Sequence, residues 1–364
     1  MSTGAKSTGA SQDPFDIAAL GAYLRQHIAG FEGPVQVTRF KGGQSNPTYL
    51  LSTPQRQYVM RSKPAPVAQL LPSAHAVERE FRLQAALAGS AVPVAGMHCL
   101  CEDESVIGRA FYLMDFVEGR IFWEQSLPGI EPAERTALYD ELNRVIAALH
   151  EIDVAALGLA DYGKAGNYFS RQVDRWTRQY RASETGRIEA MDQLIEWLPL
   201  HIPQEQTPQV SLVHGDYRLD NVIFHSTEPR ILAVIDWELS TLGHPLADFA
   251  YHLMSWHIVP GGAMRGLAGI DLEALGIPGE SEYVAAYERR IGRSVAGDWN
   301  YYLAYNLFRI AAILQGIAKR VQEGTASSPQ AAEYGRQAKP LAELGWQFAR
   351  RAGQGPMRVS PVNG

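Results

Sequence analysis

Short runs in which apolar and polar positions alternate dominate the first third of the chain. Val35–Phe40, Thr48–Ser52 and Gln57–Arg61 are rich in β-branched and aromatic residues and are separated by the turn-forming stretches KGGQSNP and TPQR, which predicts three strands. From Ala74 to Ala88 the apolar residues recur at helical spacing, with Pro72 just before and Ser73 placed as an N-cap. Two further strands are expected over Gly96–Cys101 and Phe111–Phe116. Beyond Phe116 helical periodicity takes over, in Ala133–His150, Tyr168–Arg181, Ile188–Leu198, Tyr283–Ile291, Tyr301–Val321 and Gln330–Arg351. One β island, Val210–Ile235, interrupts it with two or three short strands. The pattern predicts an α+β chain: a small β-rich lobe over residues 14–117, then a large, mostly helical lobe over 118–352. Residues 1–13 and 353–364 have no periodicity and read as tails.

Composition narrows this picture. With 364 residues, 46% apolar and 20% charged, the chain is long enough for a full core. A net charge of −6 and a pI near 6.0 speak against a nucleic-acid-coating role. The charge is uneven: residues 1–117 hold 10 Lys/Arg against 9 Asp/Glu, and the remainder 23 against 30. The two cysteines, Cys99 and Cys101, are too close for an unstrained bridge and lack zinc-ribbon spacing, which fits a reducing compartment. No apolar signal segment opens the chain, and Ala85–Cys101 is too short and too interrupted to cross a bilayer. A cytoplasmic protein with neither a membrane nor a nucleic-acid partner is expected.

The chemistry concentrates in SLVHGDYRLDNVIFH, residues 211–225, and in ILAVIDWE, residues 231–238. Apolar runs flank a polar loop that carries His214, Asp216, Asp220 and Asn221, and the second run delivers Asp236 at its end. His-x-Asp-x4-Asn matches the kinase catalytic loop, in which the Asp accepts the substrate hydroxyl proton and the Asn holds magnesium. Asp236 stands where kinases place their second metal-binding Asp. Asp and Asn also build ordinary turns. Two such motifs in order, each behind an apolar strand, favour the functional reading.

The first lobe can supply phosphate-binding groups. In the KGGQSN turn, Gly42 and Gly43 can adopt positive φ and close their N–H groups on phosphate, while Ser45 or Asn46 could add a donor. The strand YVMR presents Arg61, whose fork suits phosphate, with Lys63 two residues on as the rival. Pro64 ends the strand near Lys63, which favours Arg61. Val77, Glu80, Leu83 and Leu87 fall on one helical stripe, so Glu80 sits on the apolar face. A carboxylate there needs a cationic partner, Arg61 or Lys63.

HGDYRLDNVIF, VIDWELSTLGHPLADFAY, YVMR, HAVEREFRLQAAL and FYLMDFVEG together resemble the aminoglycoside phosphotransferase/choline kinase family over residues 30–350. The nearest variety is the phosphotransferase-like segment associated with acyl-CoA dehydrogenases. The resemblance implies a protein-kinase-like two-lobed fold, ATP or GTP as donor, Mg²⁺, and a small-molecule hydroxyl as acceptor. It makes Asp216 the catalytic base, Asn221 and Asp236 the metal ligands, and Arg61 with Glu80 the phosphate-orienting pair. Met114, Asp115, Phe116 and Val117 become the adenine-binding hinge, His214 a brace for the loop, and Asp248 the buried anchor of that loop. Two positions depart from the family pattern: Arg61 replaces the more usual lysine, and His244 stands at a place that is often acidic. The expected activity is therefore a small-molecule kinase acting on a hydroxyacyl, CoA-linked or aminoglycoside-like acceptor. The alternatives are a nucleotide-binding module without turnover and a metal-dependent phosphohydrolase.

Overall fold

Alternation of buried side chains in the first strands sets up a sheet with two covered faces. In the computed structural model, residues 15–40, 46–64, 76–164, 166–204, 209–261, 265–295, 299–326 and 328–352 are described. They fall into two compact units, the first ending at Ala88 and resuming over Val94–Val117, the second comprising Gly89–Pro93 and the chain from Glu118 onward.

The first unit opens with helix α1 (Ile17–His27), whose N-cap Asp16 accepts the N–H groups of Ala18 and Ala19. Strands β1 (Gln36–Arg39), β2 (Thr48–Ser52) and β3 (Gln57–Ser62) follow, then helix α2 (Val77–Leu87) and strands β4 (Met97–Cys101) and β5 (Phe111–Asp115). The sheet is antiparallel throughout, in the order β1-β2-β3-β5-β4. Because side chains alternate along a strand, Tyr58, Met60, Phe111 and Leu113 pack with Leu20 and Leu24 of α1. The intervening Tyr112 packs instead with Val77 of α2. Arg61 is the register partner of Tyr112 and so faces the α2 side. Cys99 and Cys101 are free thiols. The expected strands are all present within one or two residues. Ser73, the expected helix cap, lies outside the described residues.

In the second unit come helices α3 (Pro132–His150), α4 (Tyr168–Ser183) and α5 (Glu189–Leu200), then strands β6 (Ser211–Val213), β7 (Val222–Phe224), β8 (Ile231–Val234) and β9 (Thr241–Gly243). Helices α6 (Pro245–Leu253), α7 (Leu272–Leu275), α8 (Glu280–Ile291), α9 (Trp299–Gln322), α10 (Ala331–Arg336) and α11 (Ala338–Arg351) complete it. Helix α9 is the hub. Every residue from Tyr301 to Ala312 is buried, and α4, α5, α6, α10 and α11 all pack against it. The single helix expected over Gln330–Arg351 is broken at Gln337. Pro340, three residues into α11, has no N–H for the preceding turn, so the two segments cannot be one continuous helix. No helix among the described residues is long and apolar enough to cross a membrane.

Two short antiparallel ladders, β6 with β9 and β7 with β8, mount the polar loop. Leu212, Val213, Val222, Phe224, Ala233 and Val234 are all buried and fix its two ends.

Candidate active site

Between β6 and β7 the chain carries His214 to Asn221, closing with a 3-10 turn over Leu219–Asn221. Gly215 adopts φ +82°, and a Cβ there would lie 2.8 Å from the Leu239 carbonyl oxygen. Glycine is required on both counts. Asp248, in the first turn of α6, accepts the N–H of His214 at 2.7 Å and that of Gly215 at 2.8 Å. His150 of α3 donates to the same carboxylate at 3.3 Å. Burial pushes the Asp248 carboxyl upward, but the hydrogen bond and charge of His150, with the backbone N–H of His214, outweigh it and hold the group below its usual value.

His214 ties the loop to the next strand. Its Nε2 lies 2.9 Å from the Ile235 carbonyl oxygen, so that nitrogen carries the proton. Nδ1 is then an acceptor, and the Asp216 N–H donates to it at 3.2 Å. The bracing role expected of His214 and the anchoring role expected of Asp248 therefore each correspond to specific bonds.

Asp216 is held from three directions. The Tyr251 hydroxyl donates to Oδ1, Asn221 Nδ2 donates to Oδ2 at 2.9 Å, and Arg218 Nε stands 3.4 Å from Oδ1. Asn221 Nδ2 also reaches the Asp216 carbonyl at 2.8 Å. Arg218 is bonded in turn to Asp220 at 2.8 Å. Arg309 of α9 donates to the Gly215 carbonyl at 2.6 Å and lies 4.9 Å from the Tyr251 ring centre. Burial raises the Tyr251 phenol, and the neighbouring Asp216 charge raises it further, so the group stays protonated. Asp220 is also raised, by burial, against the pull of Arg218.

Asp236 follows β8 with φ +66°, a left-handed conformation that costs a non-glycine residue energy and often marks a working position. The Trp237 ring behind it is buried, with Nε1 donating to the Val234 carbonyl at 2.9 Å. The donor set suits Mg²⁺. Asn221 spends its nitrogen on Asp216, so its Oδ1 is the atom left for a cation, and Asp236 offers a carboxylate. Hard oxygen ligands of this kind, completed by substrate phosphates and water, are what Mg²⁺ takes. Among the described residues no group of three or more His, Cys, Asp or Glu is arranged to hold a metal alone.

The first unit contains a second organised carboxylate. Glu80 of α2 is 2% exposed and receives Arg61 Nε at 3.0 Å, Asn46 Nδ2 at 2.8 Å and the Tyr112 hydroxyl at 3.0 Å. The expected helix–strand ion pair is thus Arg61–Glu80, while Lys63 pairs with Glu78. Asn46, expected as an alternative to Ser45 for a phosphate donor, has its amide nitrogen on Glu80 Oε1 at 2.8 Å. Gly42, Gly43 and Ser45 lie outside the described residues. Of the expected hinge, Met114 and Asp115 end β5, where the Asp115 N–H is taken by the Gly96 carbonyl at 2.8 Å and its carboxylate by Arg56 and His98. Phe116 and Val117 follow, half-buried, with no hydrogen bond from their N–H groups among the described residues. His244 caps α6, its Nδ1 accepting the Leu246 N–H at 3.2 Å.

Sequence reasoning missed Tyr251, Arg309 and Tyr112. Nothing in their spacing ties them to a carboxylate, since each comes from a different element from the group it serves. A phenol in ADFAYHL one helical turn beyond Asp248 was the only available hint.

A loop carrying an anchored Asp and Asn with an Asp at the end of the next strand in one unit, and an Arg–Glu pair joining a strand to a helix in the other, are each features of the protein-kinase-like fold. A sequence profile of the phosphotransferase enzyme family matches residues 36–290, and the chain belongs to that family. It is 48% identical over 337 residues to mouse acyl-CoA dehydrogenase family member 10, covering 92% of this chain and 31% of that protein. Across the curated relatives the chain spans only 31–45% of their length. A candidate aminoglycoside phosphotransferase from Ralstonia eutropha has a crystal structure with 62% identity and a TM-score of 0.86, over 93% of this chain and 99% of that one. The aminoglycoside phosphotransferase APH(4)-Ia, in complex with ADP and hygromycin B, shares the fold at 16% identity and a TM-score of 0.58, over 90% and 97% of the two chains.

Proposed function

We propose that the protein transfers the γ-phosphoryl group of ATP or GTP to a hydroxyl of a small metabolite. The observation that carries this reading is Asp216: a carboxylate on a loop whose backbone is pinned by Asp248, His214 and Arg309, with the Asn221 amide and the Asp236 carboxylate in the same unit. In this reading Asp216 orients the acceptor hydroxyl and takes its proton, work that needs position more than covalent chemistry. Asn221 Oδ1 and Asp236 hold Mg²⁺, which when bound neutralises charge on the phosphates. Arg61, oriented by Glu80, binds phosphate oxygens, and Met114 to Val117 receive the base.

A hydroxyacyl or CoA-linked compound is the favoured acceptor over an aminoglycoside. Support comes from the 48% identity to a relative named as an acyl-CoA dehydrogenase family member; the neighbour seen with hygromycin B is only 16% identical, and the 62% identical one is named as a candidate aminoglycoside phosphotransferase with no bound acceptor named. We place the protein in the cytoplasm, without nucleic-acid or membrane partners. Thermal unfolding with ATP or GTP, with and without Mg²⁺, tests the reading. A ligand at a hundred times its Kd adds about 2.7 kcal/mol to the folded state. A magnesium-dependent rise in Tm that disappears in Asp236→Ala supports it; no rise with either nucleotide overturns it.

A further inference from the structure

An ionised carboxylate offers about four lone-pair positions, two on each oxygen. On Asp216 those positions are not equally available. Oδ1 accepts the Tyr251 hydroxyl and faces Arg218 Nε at 3.4 Å, whereas Oδ2 receives, among the described residues, the Asn221 amide alone at 2.9 Å. Tyr251 is itself fixed: it is 4% exposed, sits in the fully buried helix α6, and lies under the Arg309 guanidinium, which also grips the Gly215 carbonyl. Helix α6 is the element that carries Asp248, the anchor of the loop backbone. One helix therefore sets both the position of the loop and the rotation of its carboxylate.

We infer that Tyr251 is a positioning residue that turns Asp216 so that Oδ2 is the oxygen that receives the acceptor proton. The inference rests on the kinase reading given above. The phenol neither donates nor takes a proton in the reaction. Its O–H bond stays intact while the acceptor O–H breaks, the proton passes to Asp216 Oδ2, and the acceptor oxygen forms its bond to the γ-phosphorus as the bond from that phosphorus to the β,γ-bridging oxygen breaks and the nucleoside diphosphate leaves. Removing the phenol leaves Oδ1 facing Arg218 alone and lets the carboxylate swing about its Cβ–Cγ bond.

The test compares wild type, Tyr251→Phe, Asp216→Asn and the double variant, with MgATP as the probe and water as the acceptor. Tyr251→Phe is expected to lower kcat for ATP hydrolysis by roughly ten- to hundredfold, the weight of one hydrogen bond to a charged group, with KM for ATP unchanged. In the Asp216→Asn background the same change should cost nothing further, because the group it positions is gone. An equal loss in both backgrounds, or a rise in KM that accounts for the loss, overturns the inference. Crystals of Tyr251→Phe supply a readout independent of turnover. A rotated Asp216 carboxylate supports the inference, and an unchanged one overturns it even if the wild type hydrolyses no ATP. Failure of the kinase reading shows itself separately, as absence of MgATP binding by the wild type.

Discussion

Glu80 and Asp216 have the same three kinds of neighbour, an asparagine amide and a tyrosine hydroxyl that donate to them and an arginine paired with them by charge, and yet are suited to opposite tasks. The Glu80 side chain is 3% exposed and Arg61 is drawn to 3.0 Å; the Asp216 side chain is 21% exposed and Arg218 stands back at 3.4 Å. Burial decides between them. A carboxylate closed in on all sides can only hold its partners in place, so Glu80 orients Arg61. A carboxylate held by its edges keeps a lone pair for an incoming proton. The two carboxylates differ in their supports as well: Glu80 rides on a regular helix, while Asp216 rides on a loop that needs Gly215, Asp248, His214 and Arg309 to hold still.

The contrast can be broken at several points. Asp216→Asn, nearly isosteric, should reduce phosphoryl transfer by about 10²–10⁴-fold, the usual weight of a general base, with urea stability within about 1 kcal/mol of wild type. Glu80→Ala should do the reverse to the balance of effects. Truncating it strands a buried guanidinium with its amide and phenol neighbours, costing about 3–5 kcal/mol in urea unfolding. A small loss there would mean that Glu80 is not the organising group of its cluster.

Asp248→Asn should cost about 2–3 kcal/mol near neutral pH, through the loss of charge-assisted bonds to two loop N–H groups and His150. The sign of its pH dependence follows from the lowered carboxyl: the contribution is complete above the ordinary value of 3.8 and drains away as pH falls through the depressed one. The stability gap between wild type and Asp248→Asn should therefore narrow only below about pH 4. A gap that closes between about pH 5 and 7 would assign the effect to a histidine instead. Gly215→Ala sharpens the loop side of the comparison. With φ at +82° and the Leu239 carbonyl in the way, it should lose about 1–3 kcal/mol and most of its turnover. The half-buried Lys63–Glu78 pair, more open to water than Arg61–Glu80, is the control: Lys63→Ala should change stability by less than about 1 kcal/mol.

Much of this was legible in the sequence, for identifiable reasons. The five strands of the first unit are legible as β-branched and aromatic runs between turn residues, and the long helices of the second by their length and apolar spacing. The catalytic loop is legible because its donors and acceptors are local, with Asp216, Asn221 and His214 within one turn of chain. Helix α6 gave no periodic signal; only the family resemblance placed Asp248 on a helix after the loop. All its residues from Pro245 to Leu253 are buried, so no polar stripe reveals the period. Helix α1 was likewise missed; its signal was the Asp16 cap rather than its pattern. Asn46 was assigned to phosphate because it follows a glycine-rich stretch, while its hydrogen bond to Glu80, 34 residues on, leaves no trace in the sequence. Tyr251 was invisible for the same reason: 35 residues separate it from the carboxylate it holds.

The central claim is that Asp216 does chemistry while the Arg61–Glu80 pair holds nucleotide, and isothermal calorimetry with MgATP beside a turnover assay tests it most directly. For Asp216→Asn the account predicts a Kd within about threefold of wild type and transfer lowered by about 10²–10⁴-fold, and for Arg61→Met a Kd raised by about tenfold or more, as loss of a charge-assisted phosphate contact requires. Asp216→Asn losing affinity in step with activity, or Arg61→Met binding MgATP as wild type does, would contradict it.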